Sequence, residues 1–289
     1  MDGATLVSVL LLAALAGFFV LSALKFWKYS RLSTHGRFDL YPVPKEGADK
    51  ARYGGSYFEE SEWWAKKRTT SLSTEIVEIM KEMFFIKTLF ERQRSLWWAS
   101  FLFHAGVYIL FGWSVLLILG AFVRVDFVIA VINVIGELGF AFATVGIVLL
   151  LVRRLTDEAS RVYMAPADYF NLVLILAVLV TGIASWTTSA NVYDVAAQVL
   201  TLSAVELPAL VMVHFVLLGV MMVYIPVSKM GHYAGKFFSF HRVLWDNDPN
   251  LPGSKVERNM RAAAAAPAQT AWSAPHARPT QTDPSATEE

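Results

Sequence analysis

Apolar residues run along this chain in five long stretches separated by polar ones, at residues 4–24, 96–122, 127–151, 167–186 and about 204–229. Each approaches or exceeds the roughly 20 residues that an α-helix needs to cross a hydrocarbon core. Backbone polar groups can be satisfied inside a bilayer only by a helix or a closed barrel, so runs of this length predict helices. The first run lacks a basic n-region and is longer than the h-region of a secretory signal, and it is read as a span. Lys25, Lys28, Arg31 and Arg37 follow it, Arg153, Arg154 and Arg161 follow the third, and Lys229, Lys236 and Arg242 follow the fifth. The stretch 187–206 carries only Asp194 and Glu206, so basic and non-basic loops alternate. The expected fold is an all-α membrane protein, a bundle of five transmembrane helices with its N-terminus outside and its C-terminus cytoplasmic.

The polar stretches have characters of their own. Residues 30–73 are rich in charge, Gly and Pro and read as a cytoplasmic loop or an elbow along the headgroups. From 74 to 93, Ile76, Ile79, Met80, Met83, Phe84, Leu89 and Phe90 recur at helical spacing among Glu75, Glu78, Lys81, Glu82, Lys87 and Glu91. That pattern predicts an amphipathic helix at the membrane surface, compatible with a docking face for a cytoplasmic subunit. The end of the chain, from 262, is an Ala, Pro, Thr and Ser-rich tail of disordered composition. The organisation is therefore a first span (1–29), a cytoplasmic loop with amphipathic helix (30–95), a four-helix membrane region (96–240) and a cytoplasmic, largely disordered tail (241–289). No internal repeat is visible, which argues against a transporter built from duplicated halves.

Composition narrows the chemistry. Of 289 residues 55% are hydrophobic and 17% charged, with a mean hydropathy of +0.46, too apolar for an ordinary soluble domain. Cysteine is absent, which excludes covalent c-type haem attachment, thiolate-held iron–sulfur clusters and disulfides. Any redox centre must use other ligands, and histidine is the obvious one. No nucleic-acid partner is expected.

Of the six histidines, His104 and His214 fall in apolar runs and His232 just past the end of the fifth, where a polar side chain is costly and calls for an explanation. His214 and His232 are eighteen residues apart, about five helical turns, so both would leave one face roughly 27 Å apart if the helix stays regular through Pro226. Packing or interhelical hydrogen bonds would account for one such residue, but three on two helices favour ligation of a metal cofactor through neutral imidazole. Gly106, Gly112, Gly219 and Gly231 lie near them and either admit a flat macrocycle or let helices pack closely. By depth, His104 pairs with either His214 or His232. Glu137 is the only carboxylate deep in a span, a candidate proton acceptor or a protonated acid bonded to a neighbouring helix. Arg124 and Asp126 read as a boundary pair, and His35, His241 and His276 lie in polar segments.

These residues carry a resemblance. Arg94-Ser-Leu-Trp-Trp-Ala-Ser-Phe-Leu-Phe-His104-Ala-Gly resembles the start of the second helix of the nitrate reductase gamma subunit family. Leu149-Leu-Leu-Val-Arg-Arg-Leu155 is similar to the end of its third helix and Ala167-Asp168 with Thr181-Gly182 to its fourth. His214 to His232, with Pro226-Val-Ser-Lys229 between them, resembles its fifth and is the most specific part. The insert before the second span and Phe90-Glu-Arg-Gln-Arg94 look more like the membrane cytochromes of heterodisulfide-reductase-type complexes. The resemblance implies that His104 and His232 are axial ligands of a haem b near the cytoplasm, and that His214 corresponds to a ligand of a second haem b nearer the outside. The partner position of that outer ligand is Ser114, so the outer haem is missing, five-coordinate or ligated from elsewhere, or His214 bonds a quinone headgroup. His241, beside Arg242, becomes a candidate contact for a haem propionate. The implied function is a haem b subunit of a respiratory complex in a prokaryotic inner membrane. It would pass electrons between menaquinone or ubiquinone and a cytoplasmic iron–sulfur subunit. The alternatives are a haem-free proton-coupled transporter using Glu137 and the histidines, or a membrane anchor.

Overall fold

The computed structural model describes residues 2–31, 61–62, 72–188, 191–203, 206–244, 253 and 255–265. All its described elements are helices, and five of them are long and apolar enough to cross a membrane: α1 (Gly3–Ser30), α4 (Arg94–Phe122), α5 (Asp126–Thr156), α7 (Pro166–Thr188) and α9 (Ala209–Val227). The chain is a multi-pass membrane protein; the first four expected apolar runs lie on α1, α4, α5 and α7, and α9 takes the central part of the fifth. Shorter helices connect them: α2 (Leu72–Met80), a π-turn (Lys81–Phe85), α3 (Lys87–Arg92), α6 (Glu158–Val162) and α8 (Val192–Thr201). After α9 come a 3-10 turn (Lys229–Gly231), α10 (His232–Leu244) and α11 (Lys255–Ala265). The expected loop over 30–73 overlaps the end of α1 and the start of α2 at its two ends, and 32–71 lies outside the described residues apart from 61–62, as do His35 and His276.

Local chemistry explains most helix ends. The Asp2 carboxylate accepts from Thr5 N at 2.7 Å and caps α1. Pro166 opens α7 at a position where its missing N–H costs nothing, and Asp168 reaches back to accept from Ala165 N at 2.9 Å. Asn191 accepts from Tyr193 N and starts α8. Helix α11 runs into the tail whose composition, from 262, reads as disordered. Its alanine run is strongly helix-forming and Glu257 pairs with Arg261 one turn on, so local propensity carries it.

The spans alternate in direction. At one end of the bundle, Lys25, Ser95, Arg153, Asp168 and Lys229 gather, with Arg153 Nη1 donating to Ser95 Oγ at 3.2 Å and Lys229 Nζ 3.0 Å from Asp168. At the other, Arg124 pairs with Asp194 at 2.7 Å across the α8 segment. The expected boundary pair of Arg124 with Asp126 is therefore replaced by a longer-range one, because α8 folds back and brings its carboxylate over the α4–α5 turn.

Helices α4 and α5 form the tightest seam. A Cβ built on Gly106 would lie 2.2 Å from Ala143 N, and one on Gly146 2.3 Å from Phe103 N, so backbone meets backbone at both points. Ala143 and Ile147 are fully buried there, and Trp113 stacks on Trp186 at 5.2 Å to extend the core into α7. Helix α9 packs instead on α1, where Gly219 meets Ala14, and on α7, where Tyr224 meets Phe170. Of the four glycines near the histidines, Gly106 and Gly219 thus serve helix packing, and Gly112 faces open space. No packed seam joins α4 to α9 among the described residues.

Candidate functional site

Ser100, His104 and Tyr108 follow each other at four-residue spacing and share one face of α4, well away from the Gly106 face that meets α5. The Nδ1 of His104 lies 2.7 Å from the backbone oxygen of Ser100. A carbonyl can only accept, so Nδ1 carries the proton and Nε2 keeps its lone pair. That is the arrangement by which a histidine is oriented for metal ligation.

His232 reaches the same place by a route the hydrophobic pattern did not disclose. Helix α9 stops at Val227, because Pro226 removes a backbone donor and Ser228 turns extended at φ −101°, ψ −175°. The Ser228 hydroxyl caps the next turn by accepting from Met230 N at 3.1 Å, and α10 starts at His232 itself. The expectation of a regular helix carrying His214 and His232 on one face is corrected here: a break separates them. After it, the His232 ring lies 6.0 Å from that of His104, centre to centre, with the planes at 82°.

Both rings line a cavity of about 280 Å³. Its walls are α4 through Ser100 and Tyr108, α10 through Tyr233, Lys236 and Phe237, and the amphipathic segment through Ile79, Glu82, Met83 and Ile86. The expected single amphipathic helix is broken by the π-turn and by Ile86, which sits in the left-handed region at φ 54°, ψ 50°. A β-branched residue there costs on the order of 1–3 kcal/mol and needs outside support. Helix α4 supplies it: Tyr108 OH donates to Met83 O at 2.9 Å and Trp97 Nε1 to Phe85 O at 2.7 Å. Phe85, Phe90 and Trp97 close around the break with ring centres 4.9–5.0 Å apart. The segment is thus a wall of the histidine site as well as an amphipathic element.

Two buried carboxylates hold that wall. Burial raises the pKa of Glu82, but Lys236 at 2.7 Å and hydrogen bonds from Thr88 N and Oγ1 at 2.9 and 2.8 Å outweigh it and leave the carboxyl below its ordinary range. Glu82 therefore ties α10 to α3 as an anion beside the cavity. Burial likewise raises Glu78, while Lys81 at 2.6 Å and Lys87 at 2.7 Å bring it down overall. A carboxyl whose folded pKa is lowered stabilises the fold above its unfolded value, about 4.3, and that contribution is lost as pH falls through the lower folded value. Amide protection factors over 72–92, corrected for the intrinsic exchange rate, are expected to fall on acidification below about pH 4, and Glu78→Gln to show lowered protection already at neutral pH.

The remaining sequence candidates lie elsewhere. His214 is half-buried against α7, its Nδ1 3.2 Å from Thr181 Oγ1, and Gly182 leaves it room, since a Cβ there would come within 3.0 Å of the ring. The Thr181 hydroxyl already donates to Ala177 O at 2.7 Å, so toward His214 it acts as an acceptor. Ser114 is exposed and donates to Leu110 O of its own helix. Glu137 is exposed on α5 between Val134 and Leu138, both exposed too, and does not line the cavity. The side chain of His241 lies outside the described residues.

Residues 86–243, more than half of the chain, match the nitrate reductase gamma subunit family. The chain belongs to that family. The gamma-family match begins at Ile86, so it takes in both histidines of the cavity and excludes α1, α2 and Glu82. The Hdr-like menaquinol oxidoreductase cytochrome b-like subunit of Archaeoglobus fulgidus is 31% identical over 102 residues, 32% of this chain and 31% of that one. The gamma-family chain thus spans about a third of the length of the curated relative it matches. No solved structure matches it.

Sequence reasoning passed over Tyr108, Lys236 and the carbonyl of Ser100. Only the four-residue spacing from His104 signalled the first and last of these, and nothing local signalled Lys236.

Proposed function

We propose that this chain is the haem b subunit of a quinone-linked respiratory complex in a prokaryotic inner membrane. It would exchange electrons between menaquinol or ubiquinol and a cytoplasmic iron–sulfur partner. The single observation that carries the proposal is the pair His104 and His232, 6.0 Å apart beside a cavity, with His104 oriented by the Ser100 carbonyl. Two imidazoles bonded to one metal at about 2 Å each place their ring centres roughly 6 Å apart. Because both rings contain the ligand axis, any angle between their planes is compatible with it. An ion held by protein alone usually takes three or four side chains. No group of three His, Cys, Asp or Glu occurs among the described residues, so two imidazoles suit a metal whose other positions a porphyrin fills.

When bound, haem supplies one-electron chemistry, and its axial ligands and burial tune its potential. The chain's own residues do the rest. His104 and His232 would hold the iron, the Ser100 carbonyl fixes the tautomer of His104, and Ile79, Met83, Ile86 and Phe237 give the cavity an apolar lining. The relative's name, that of a menaquinol oxidoreductase subunit, supports a quinol substrate. The basic end of the bundle, with Lys25, Arg153 and Lys229, is assigned to the cytoplasm, where the partner docks. His214 is left to a second haem or a quinone headgroup. Glu137, unpaired on the membrane-facing side of α5, is assigned as a proton acceptor from quinol. Glu137→Gln is then expected to slow quinol oxidation and leave the haem spectrum unchanged.

The test is the redox difference spectrum of the full chain purified from haem-replete cells, with haem counted per polypeptide. A low-spin b-type signal of at least one haem, reducible by a menaquinol analogue, is expected. A colourless preparation would overturn the proposal in favour of a haem-free membrane protein.

A further inference from the structure

A helix that stops leaves backbone carbonyls without partners, and inside a membrane such groups need donors from the protein itself. At the break before His232 the donor comes from α1. Lys25 Nζ donates to Pro226 O at 2.8 Å and lies 3.4 Å from Ser228 O, with Tyr29 of its own helix 6.0 Å away below the charge. The ammonium occupies the space where Gly231 has no side chain: a Cβ there would lie 2.2 Å from Nζ and within 3.0 and 3.1 Å of Pro226 O and Ile225 O. Lys25 and Gly231 are thus complementary, one filling what the other leaves open.

The same face of α1 grips α10 just past the break. Ser22 Oγ is 2.5 Å from Tyr233 OH, and the Phe26 ring lies 6.0, 5.9 and 5.7 Å from those of Tyr233, Phe237 and Phe238. On the far side, Lys229 is tied to Asp168 of α7, so the break is held from two directions. Losing the α1 contact would therefore loosen the break without releasing it.

Resting on the haem reading above, we propose that Lys25 is a positioning residue for His232. Its ammonium, clamped by the break's carbonyls, sets the direction in which α10 leaves α9, and with it the alignment of His232 on His104. Helix α1 lies outside the family-matched residues 86–243, so this brace comes from a part of the chain that the family match does not cover.

Lys25→Met and Gly231→Ala disturb the clamp in different ways, one removing the donor and the other crowding it, while Lys25→Arg keeps charge and donors. Both disruptive variants are expected to retain haem about tenfold less well, as changes to groups that orient a metal ligand do. The haem that remains should show a high-spin component and shifted low-spin g-values in electron paramagnetic resonance, and Lys25→Arg should restore the wild-type spectrum. A readout independent of haem uses the absence of native cysteine. Nitroxides on Lys28→Cys and Phe237→Cys in the haem-free full chain should give a broader distance distribution when Lys25→Met is added. If Lys25→Met matches wild type in both g-values and distances, or lowers haem content with both unchanged, Lys25 has no positioning role. A wild-type chain without low-spin haem would instead sink the haem reading, and the nitroxide distances would still decide whether Lys25 orients α10.

Discussion

His104→Ala is expected to abolish the low-spin haem signal of the proposed cofactor, and His232→Ala to do the same, whereas His214→Ala should leave it in place. The expectation follows from what lies within reach of the site. The two ring centres lie 6.0 Å apart, and the other cavity-lining side chains include no third imidazole. No other imidazole lines the cavity to replace either histidine, so removing one would leave iron with a single imidazole ligand and take away the bis-histidine low-spin spectrum. His214 is held on α7 by Thr181 and is no part of the cavity. Ser100→Ala is the internal control. The group that orients His104 is the Ser100 backbone carbonyl, and the hydroxyl is only a 3.4 Å neighbour, so this variant is expected to keep a near-wild-type spectrum. Loss of the signal in His214→Ala with retention in His232→Ala would reverse the pairing.

The largest effect on stability is expected from Gly106→Leu, with Gly106→Ala next. A single added carbon at Gly106 would stand 2.2 Å from Ala143 N and 2.7 Å from Ala143 Cα, backbone atoms that cannot swing aside. Helices α4 and α5 would have to separate along a seam that includes the fully buried Ala143 and Ile147. Overpacking of this kind costs about 1–3 kcal/mol and more where backbone is the obstacle, so Gly106→Ala belongs at the upper end of that range. Gly112→Ala, six residues along the same helix, meets nothing within 4 Å and is expected to change stability by no more than about 0.5 kcal/mol. Unfolding midpoints in sodium dodecyl sulfate, followed by tryptophan fluorescence, compare the three. Equal midpoints for Gly106→Ala and Gly112→Ala would mean that the α4–α5 approach is not as close as described.

The two sets of variants act on different faces of α4. One face carries Ser100, His104 and Tyr108 to the cavity, and the other carries Gly106 and Trp113 into the core. A rigid α4–α5 seam gives the histidine face a fixed platform, while the opposing wall is built of shorter pieces: the π-turn, Ile86 and α10. The strain at Ile86 and the buried Glu82–Lys236 pair sit in that more divided wall.

The sequence by itself determined the five spans and their alternation and singled out three histidines as candidates, because hydrophobic run length and charge are local properties that the bilayer reads directly. It also disclosed Pro226, whose missing N–H marks where α9 would weaken. Tertiary structure alone decided that the chain breaks there and delivers His232 to His104 on a separate helix. Whether a helix ends depends on who satisfies its carbonyls, and here the donor is Lys25, some two hundred residues away along the chain. The same reason hid the pairing of Glu82 with Lys236 and of Arg124 with Asp194, and the outward placement of Glu137. Each depends on which helices pack together, and that is settled by where glycines such as Gly106 and Gly146 let backbones meet, not by the hydropathy of any single run.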